Sequence, residues 1–350
     1  MTSSLLEKFK KVADTIRAYP HQFTQVWDQV FDLYLPHDYK QIDKVVFCGM
    51  GGSALGARVA DSLLMDSLRV TLEIFNGYTI PTYTDEKTLV VLSSYSGNTE
   101  EVIECAYKAL QTQAKIVGIS AGGKLFDVLK EHQKPVVLLD TIHNPSEQPR
   151  FGIGYSVGSV LALLTKLGIA TISPEDRQEA LSTMFEMATE FHENNTFSHN
   201  LAYDYAKKLK GKIPVLVTAE HLVGSAYVIK NQLNESAKTF ALLFEIPELN
   251  HHLMEGLVNP AKMKDLLTFV FFDSKNYQYR VSKRFPITAE VVEKNNIEHL
   301  TYKCRSKSKF SQGFEILFFG SMMVYFLAYE YNVDPMIIPW VDYFKEKLSK

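Results

Sequence analysis

The chain has 350 residues, 46% of them hydrophobic, which is enough to bury a large core and to form two domains. Its formal net charge of −3 offers no overall basic attraction for nucleic acid. Three scattered cysteines, Cys48, Cys105 and Cys304, supply neither a disulfide framework nor metal-ligand spacing, which suits a cytosolic protein.

The first 40 residues read as a helical segment whose start, Met1 to Lys8, lacks the apolar core of a signal peptide. Short apolar strands then follow at Lys44 to Cys48, Val70 to Phe75, Thr88 to Leu92, Ala114 to Ile119 and Pro135 to Leu139, with helical patterns in most of the gaps. A helical stretch from about Val157 to Leu209 leads to a second set of strands at Ile213 to Thr218, Thr239 to Glu245 and Leu267 to Phe272, with a weaker one near Ile297 to Lys303. Two helices, Gly313 to Tyr331 and Pro339 to Leu348, close the chain. The apolar run Phe314 to Ala328 is interrupted by Gly320 and Ser321 and reads as too short to cross a bilayer. Continuous apolar strands alternating with helices predict an α/β fold with mainly parallel sheets covered on both faces. The expected divisions are 1–40, a first sheet domain over 41–150, connecting helices over 151–210, and a second sheet domain over 211–350.

Two turns carry the chemistry. Ser93-Ser94-Tyr95-Ser96-Gly97-Asn98-Thr99 leads from a buried strand into a helix that opens with Glu100-Glu101. Unpaired N–H groups and the positive end of the helix dipole favour an anion there, and small hydroxyls suit a terminal phosphate. Gly49-Met50-Gly51-Gly52-Ser53 follows the first strand, where glycines let a ligand approach the backbone. Alone, the glycine turn is a weak signal: it nearly satisfies a dinucleotide fingerprint with Glu73 as the ribose acid, and a tight turn without a ligand is the plainer alternative. Two such turns at the carboxyl ends of strands in one sheet fit a sugar phosphate better.

Ser94 to Glu101 resembles the phosphosugar-binding turn of the sugar isomerase (SIS) superfamily, and Gly49 to Ser53 resembles the opening turn of its bifunctional phosphoglucose/phosphomannose isomerases. Gln148-Pro149-Arg150, Asn234-Glu235, Pro247-Glu248-Leu249-Asn250-His251 and Phe344-Lys345 follow in the family's order, so the resemblance spans about Lys44 to Lys347. It implies two SIS subdomains, each doubly wound and flavodoxin-like, and an aldose–ketose phosphate isomerase that needs neither metal nor cofactor. It also implies that Ser94, Ser96 and Thr99 bind the phosphate and that Gly51, Gly52 and Ser53 line the sugar. Glucose 6-phosphate and fructose 6-phosphate are the leading substrates, with mannose 6-phosphate secondary.

Moving a proton between C1 and C2 through a cis-enediolate requires a base over those carbons, an acid/base for the ring oxygen, and positive charge near the oxyanion. Glu235 is the candidate base, or else a solvated partner of Lys238. His251 and Lys345 are candidates for ring opening and Arg150 for the enediolate, each with an ordinary surface role as the alternative. The pair His251 and His252 with Glu255 fits no helical zinc motif. The resemblance implies a homodimer in which His251 reaches the partner's site. The chain departs from the family at His252-Leu253, where asparagine and glutamate are usual, and in Asp334 to Trp340, which lacks the threonine that accommodates both C2 epimers. His252, Met336 and Trp340 are expected to reshape the sugar pocket. A phosphosugar sensor and a nucleotide-dependent oxidoreductase are the alternatives from other classes.

Overall fold

The fold was obtained as a computed structural model that describes residues 2–193 and 200–348; residues 194–199 of the predicted helical stretch lie outside them. In chain order the elements are α1 (Ser3–Arg17), α2 (Tyr19–Asp32), β1 (Lys44–Gly49), α3 (Gly52–Leu64), β2 (Thr71–Phe75), β3 (Thr88–Ser93), α4 (Glu100–Leu110), β4 (Lys115–Ser120), α5 (Gly123–Glu131), β5 (Val136–Leu138), α6 (Ile153–Lys166) and α7 (Pro174–Glu190). They continue with α8 (Leu201–Leu209), β6 (Ile213–Thr218), α9 (Val223–Glu235), β7 (Leu242–Glu245), α10 (Leu249–His252), α11 (Met263–Leu266), β8 (Leu267–Asp273), α12 (Tyr279–Ser282), α13 (Arg284–Lys294), β9 (Glu298–Lys303), α14 (Lys309–Tyr331) and α15 (Pro339–Leu348). The chain divides into two compact units, Ala18–Leu181 and Met1–Arg17 with Ser182–Lys350. The helices α1 and α2, which the sequence groups in one segment, therefore belong to different units.

The 18–181 unit holds a five-stranded parallel sheet in the order β2-β1-β3-β4-β5. Every residue of β3 is buried, as an uninterrupted apolar run in a central strand requires. One face packs Val46, Cys48, Val90 and Leu92 against Val102, Cys105 and Ala106 of α4 and Leu125 and Leu129 of α5. In the helical layer, α2 and α6 approach closely because a Cβ at Gly154 would lie 2.6 Å from the Tyr19 carbonyl oxygen and one at Gly158 2.6 Å from Val26. The order is that of the flavodoxin-like sheet, whose ligands bind beyond the carboxyl ends of β1 and β3.

The other unit holds a four-stranded parallel sheet, β7-β6-β8-β9. Its core helix is α14, which packs against α1, α8 and α9. By length and composition its 23 residues are enough to cross a bilayer, so the sequence reading of that run as too short is corrected. The helix is instead buried from Phe310 to Ala328 inside the unit, and the two residues that interrupt the apolar run make specific contacts. A Cβ at Gly320 would stand 2.3 Å from Ile229, and the Ser321 hydroxyl donates to Gln232 Oε1 at 2.8 Å. Both contacts fix α9, the helix that ends in Glu235. Phe9 of α1 meets the edges of Tyr325 and Tyr329 at 5.6 and 5.5 Å, which anchors α1 to this unit.

Candidate active site

Seven of the ten predicted site residues lie in the 18–181 unit, and the structure brings them together. The glycine turn leaves β1 at Gly49, whose carbonyl accepts Asn76 Nδ2 at 2.6 Å. Gly51 caps α3 with φ +48°, and nothing stands within 4 Å of where its Cβ would be, so its backbone faces open space. At Gly52 a Cβ would fall 3.2 Å from the Pro149 carbonyl carbon and from the Arg150 nitrogen. The glycine there lets the turn lie directly on the backbone that carries Arg150.

The serine turn leaves β3 one strand away. Its Tyr95 N–H donates to Ser53 Oγ at 2.9 Å, which joins the two turns. Ser94 is buried, its hydroxyl lies 2.7 Å from that of Thr99, and its oxygen accepts the Thr99 N–H at 3.3 Å. Ser96 is exposed and Thr99 half-buried at the N-terminus of α4. The turn therefore leaves Ser96 exposed while the buried Ser94 holds the half-buried Thr99 hydroxyl at the head of α4, an arrangement that suits a multiply charged anion.

A third turn, Ser120 to Gly123, supports the second and was not singled out in the sequence. A Cβ at Gly97 would lie 1.7 Å from the Gly122 oxygen, and one at Gly123 2.5 Å from the Ser96 oxygen. Ala121 donates to the Tyr95 carbonyl at 3.0 Å, Leu125 to that of Gly97 at 2.9 Å, and the Lys124 N–H to Asn98 Oδ1 at 3.1 Å. The repeated Gly-Gly in a βα turn was the available signal. Arg150 is 2% exposed, its Nη1 donates to Gln148 Oε1 at 2.9 Å, and its guanidinium lies 5.8 Å from the Phe151 ring. A cation held this deep acts through a low local dielectric, where it stabilises a nearby oxyanion more than it would in water.

The remaining three residues lie in the other unit. Glu235 is half-buried and is the last residue of α9, where the negative end of the helix dipole meets its carboxylate. Lys238 donates to the backbone oxygens of Glu235 at 2.5 Å and of Ile337 at 2.6 Å, so it ties the end of α9 to the segment entering α15. His251 is exposed on α10, next to Asn250, which α13 holds through Thr288 Oγ1 at 2.8 Å and Arg284 Nη1 at 3.3 Å. His252 is exposed, its ring 6.1 Å from that of Phe244. Lys345 is exposed on α15, a helix with no buried residue, whose Trp340 is 81% exposed. Among the described residues no three His, Cys, Asp or Glu side chains gather as a metal site would require. Glu73 pairs with Val46 midway along the edge strand β2 and not at its carboxyl end, where the acid of a dinucleotide fingerprint is placed.

Two hydrogen-bonded βα turns on a flavodoxin-like parallel sheet, followed by a second parallel sheet, are the architecture of a sugar isomerase (SIS) domain protein. Residues 198–348 match the bacterial phospho-glucose isomerase C-terminal SIS domain. The chain belongs to the bifunctional phosphoglucose/phosphomannose isomerase family and is an aldose–ketose isomerase. The protein of that name from Thermoplasma volcanium is 31% identical over 88% of this chain and 92% of its own. The one from Caldicellulosiruptor bescii is 28% identical over 95% of this chain and 97% of its own. A hypothetical protein of Thermus thermophilus, of solved structure, shares the fold with a TM-score of 0.75 at 14% identity, covering 99% of this chain and 94% of that one. Neither the sensor nor the oxidoreductase alternative is favoured.

Proposed function

We propose that the protein interconverts glucose 6-phosphate and fructose 6-phosphate without a metal, with mannose 6-phosphate as a second aldose. The observation that carries this reading is the hydrogen bond that joins the glycine and serine turns beside a buried Arg150. In the proposed reaction Ser96 and Thr99 hold the phosphate, braced by Ser94, and Gly51, Gly52 and Ser53 line the sugar. Glu235 moves the proton between C1 and C2, Arg150 stabilises the enediolate, and His251 and Lys345 assist ring opening.

A homodimer, with His251 contributed across the interface, belongs to the same proposal. Trp340, Val341, Phe344 and Leu348 of α15 are all exposed, and a helix of that composition gains from being covered. A cytosolic setting is supported by three cysteines held as free thiols, two of them buried.

The test is a coupled assay with fructose 6-phosphate in the presence of EDTA, using separate coupling enzymes for glucose 6-phosphate and mannose 6-phosphate. Turnover to glucose 6-phosphate is expected, with slower turnover to mannose 6-phosphate. Turnover to neither, in a protein whose melting temperature fructose 6-phosphate still raises, would overturn the substrate assignment.

A further inference from the structure

A chain of hydrogen bonds connects the serine turn to Arg150 through residues to which the reaction above gives no part. Asn144 is 2% exposed, and its Nδ2 donates to the Tyr95 hydroxyl at 2.7 Å and to the Gln148 carbonyl at 3.2 Å. Its Oδ1 accepts the Ser146 hydroxyl at 2.7 Å, and that hydroxyl's oxygen accepts the Gln148 N–H at 3.3 Å. Both amide hydrogens of Asn144 and its oxygen are thereby used. Gln148 Oε1 then accepts from Arg150 Nη1. The Tyr95 ring is confined as well: a Cβ at Gly152 would stand 3.0 Å from its Cε2 and 3.3 Å from Asn144 Nδ2.

We propose that Asn144 and the Tyr95 hydroxyl are positioning residues, which set the distance between the phosphate seat and the Arg150 guanidinium. Tyr95 is itself part of the serine turn, with its N–H on Ser53 and its carbonyl on Ala121. Asn144 and Ser146 fix the two backbone groups of Gln148, and the Gln148 side chain holds the guanidinium. A long arginine side chain loses its orientation easily, and this arrangement leaves its contact to Gln148 little freedom. The separation between phosphate and developing oxyanion is fixed in the substrate. An error in matching it is therefore felt in the transition state more than in the bound ground state. The burial of Tyr95 holds its phenol above the ordinary value, against the opposing hydrogen bond from Asn144, so the hydroxyl stays neutral. This inference rests on the isomerase reading of Arg150.

The experiment compares Asn144→Ala, Tyr95→Phe and Arg150→Lys, singly and in pairs, in the full chain. Tyr95→Phe serves if Asn144→Ala does not fold, because it removes only one oxygen. Each positioning variant should lower kcat on fructose 6-phosphate about tenfold with KM within about twofold, and should add little to the loss caused by Arg150→Lys. Affinity for 6-phosphogluconate, which carries a carboxylate as well as a phosphate, should fall about tenfold, while affinity for inorganic phosphate stays unchanged. A folded Tyr95→Phe with wild-type kcat, or losses fully additive with Arg150→Lys, overturns the proposal. If the wild-type protein turns over neither sugar but Tyr95→Phe still loses 6-phosphogluconate affinity alone, the substrate reading fails and the positioning stands.

Discussion

The Ser53 hydroxyl oxygen accepts the Tyr95 N–H at 2.9 Å, so the turns after β1 and β3 form one hydrogen-bonded unit. In the proposed site the same hydroxyl donates its own proton to the sugar. Ser53→Ala removes both contacts at once. Losing one hydrogen bond of this kind costs about 1.5 kcal/mol, so KM for fructose 6-phosphate should rise roughly tenfold. Steady-state kinetics decide it, and a KM within about twofold of wild type would remove Ser53 from the sugar site.

Gly97 tests whether the third turn braces the second. With φ +70° and a Cβ that would lie 1.7 Å from the Gly122 oxygen, Gly97→Ala cannot be accommodated in place. The left-handed backbone alone costs an alanine about 1–2 kcal/mol, and the clash adds to it. Urea denaturation should show a loss above about 2 kcal/mol together with weaker phosphate binding. A midpoint indistinguishable from wild type would mean that the turns are not interlocked.

Local signals in the chain were enough to locate both turns. Thr88 to Leu92 is an apolar β-prone run ended by hydroxyl residues, and its position at the centre of a parallel sheet explains that composition. The two turns were legible because each follows such a strand. Asn144 was not, since a lone asparagine between histidine and proline gives no local sign that Tyr95 waits 49 residues earlier in the chain. The third turn's Gly122-Gly123 was visible but without a function until Gly97 and Ser96 were seen against it. Nothing local separates α1 from α2 either. Both are amphipathic, and only the tertiary partners, Tyr325 and Tyr329 for Phe9, and α6 for α2, separate them. In α14 the interruptions at Gly320 and Ser321 read as breaks in an apolar run, whereas they are its contacts with α9.

Glu235 offers the sharpest test of the proposed chemistry. Glu235→Gln keeps the side chain's size and its hydrogen-bonding reach while removing the base. Turnover should fall by roughly 10² or more, with the melting-temperature shift produced by fructose 6-phosphate retained. Unchanged turnover would place the base elsewhere. Exchange of the C2 proton with solvent, followed by NMR, should be lost in parallel if the carboxylate is the group that moves it.

His143, next to Asn144, gives the 18–181 unit a pH dependence with a definite sign. Its imidazole is held below the ordinary value of 6.5, first by burial and then by repulsion from His21, whose ring lies 5.3 Å away, with Asp140 opposing. A depressed histidine value means that the native state binds fewer protons than the unfolded chain as pH drops through 6.5. The neutral form's contribution is therefore fully present above that pH and is lost progressively towards the lower native value. Urea unfolding should show stability falling on acidification across this window, and His143→Gln should make the fall shallower. The His143 carbonyl accepts Gln22 Nε2 at 2.9 Å and its N–H donates to the Tyr155 hydroxyl at 3.0 Å. Both bonds are made by the backbone and survive the substitution, so the variant should fold at pH 8 with near wild-type stability. An acid-side slope identical in the two proteins would show that His143 titrates alike in the folded and unfolded chains.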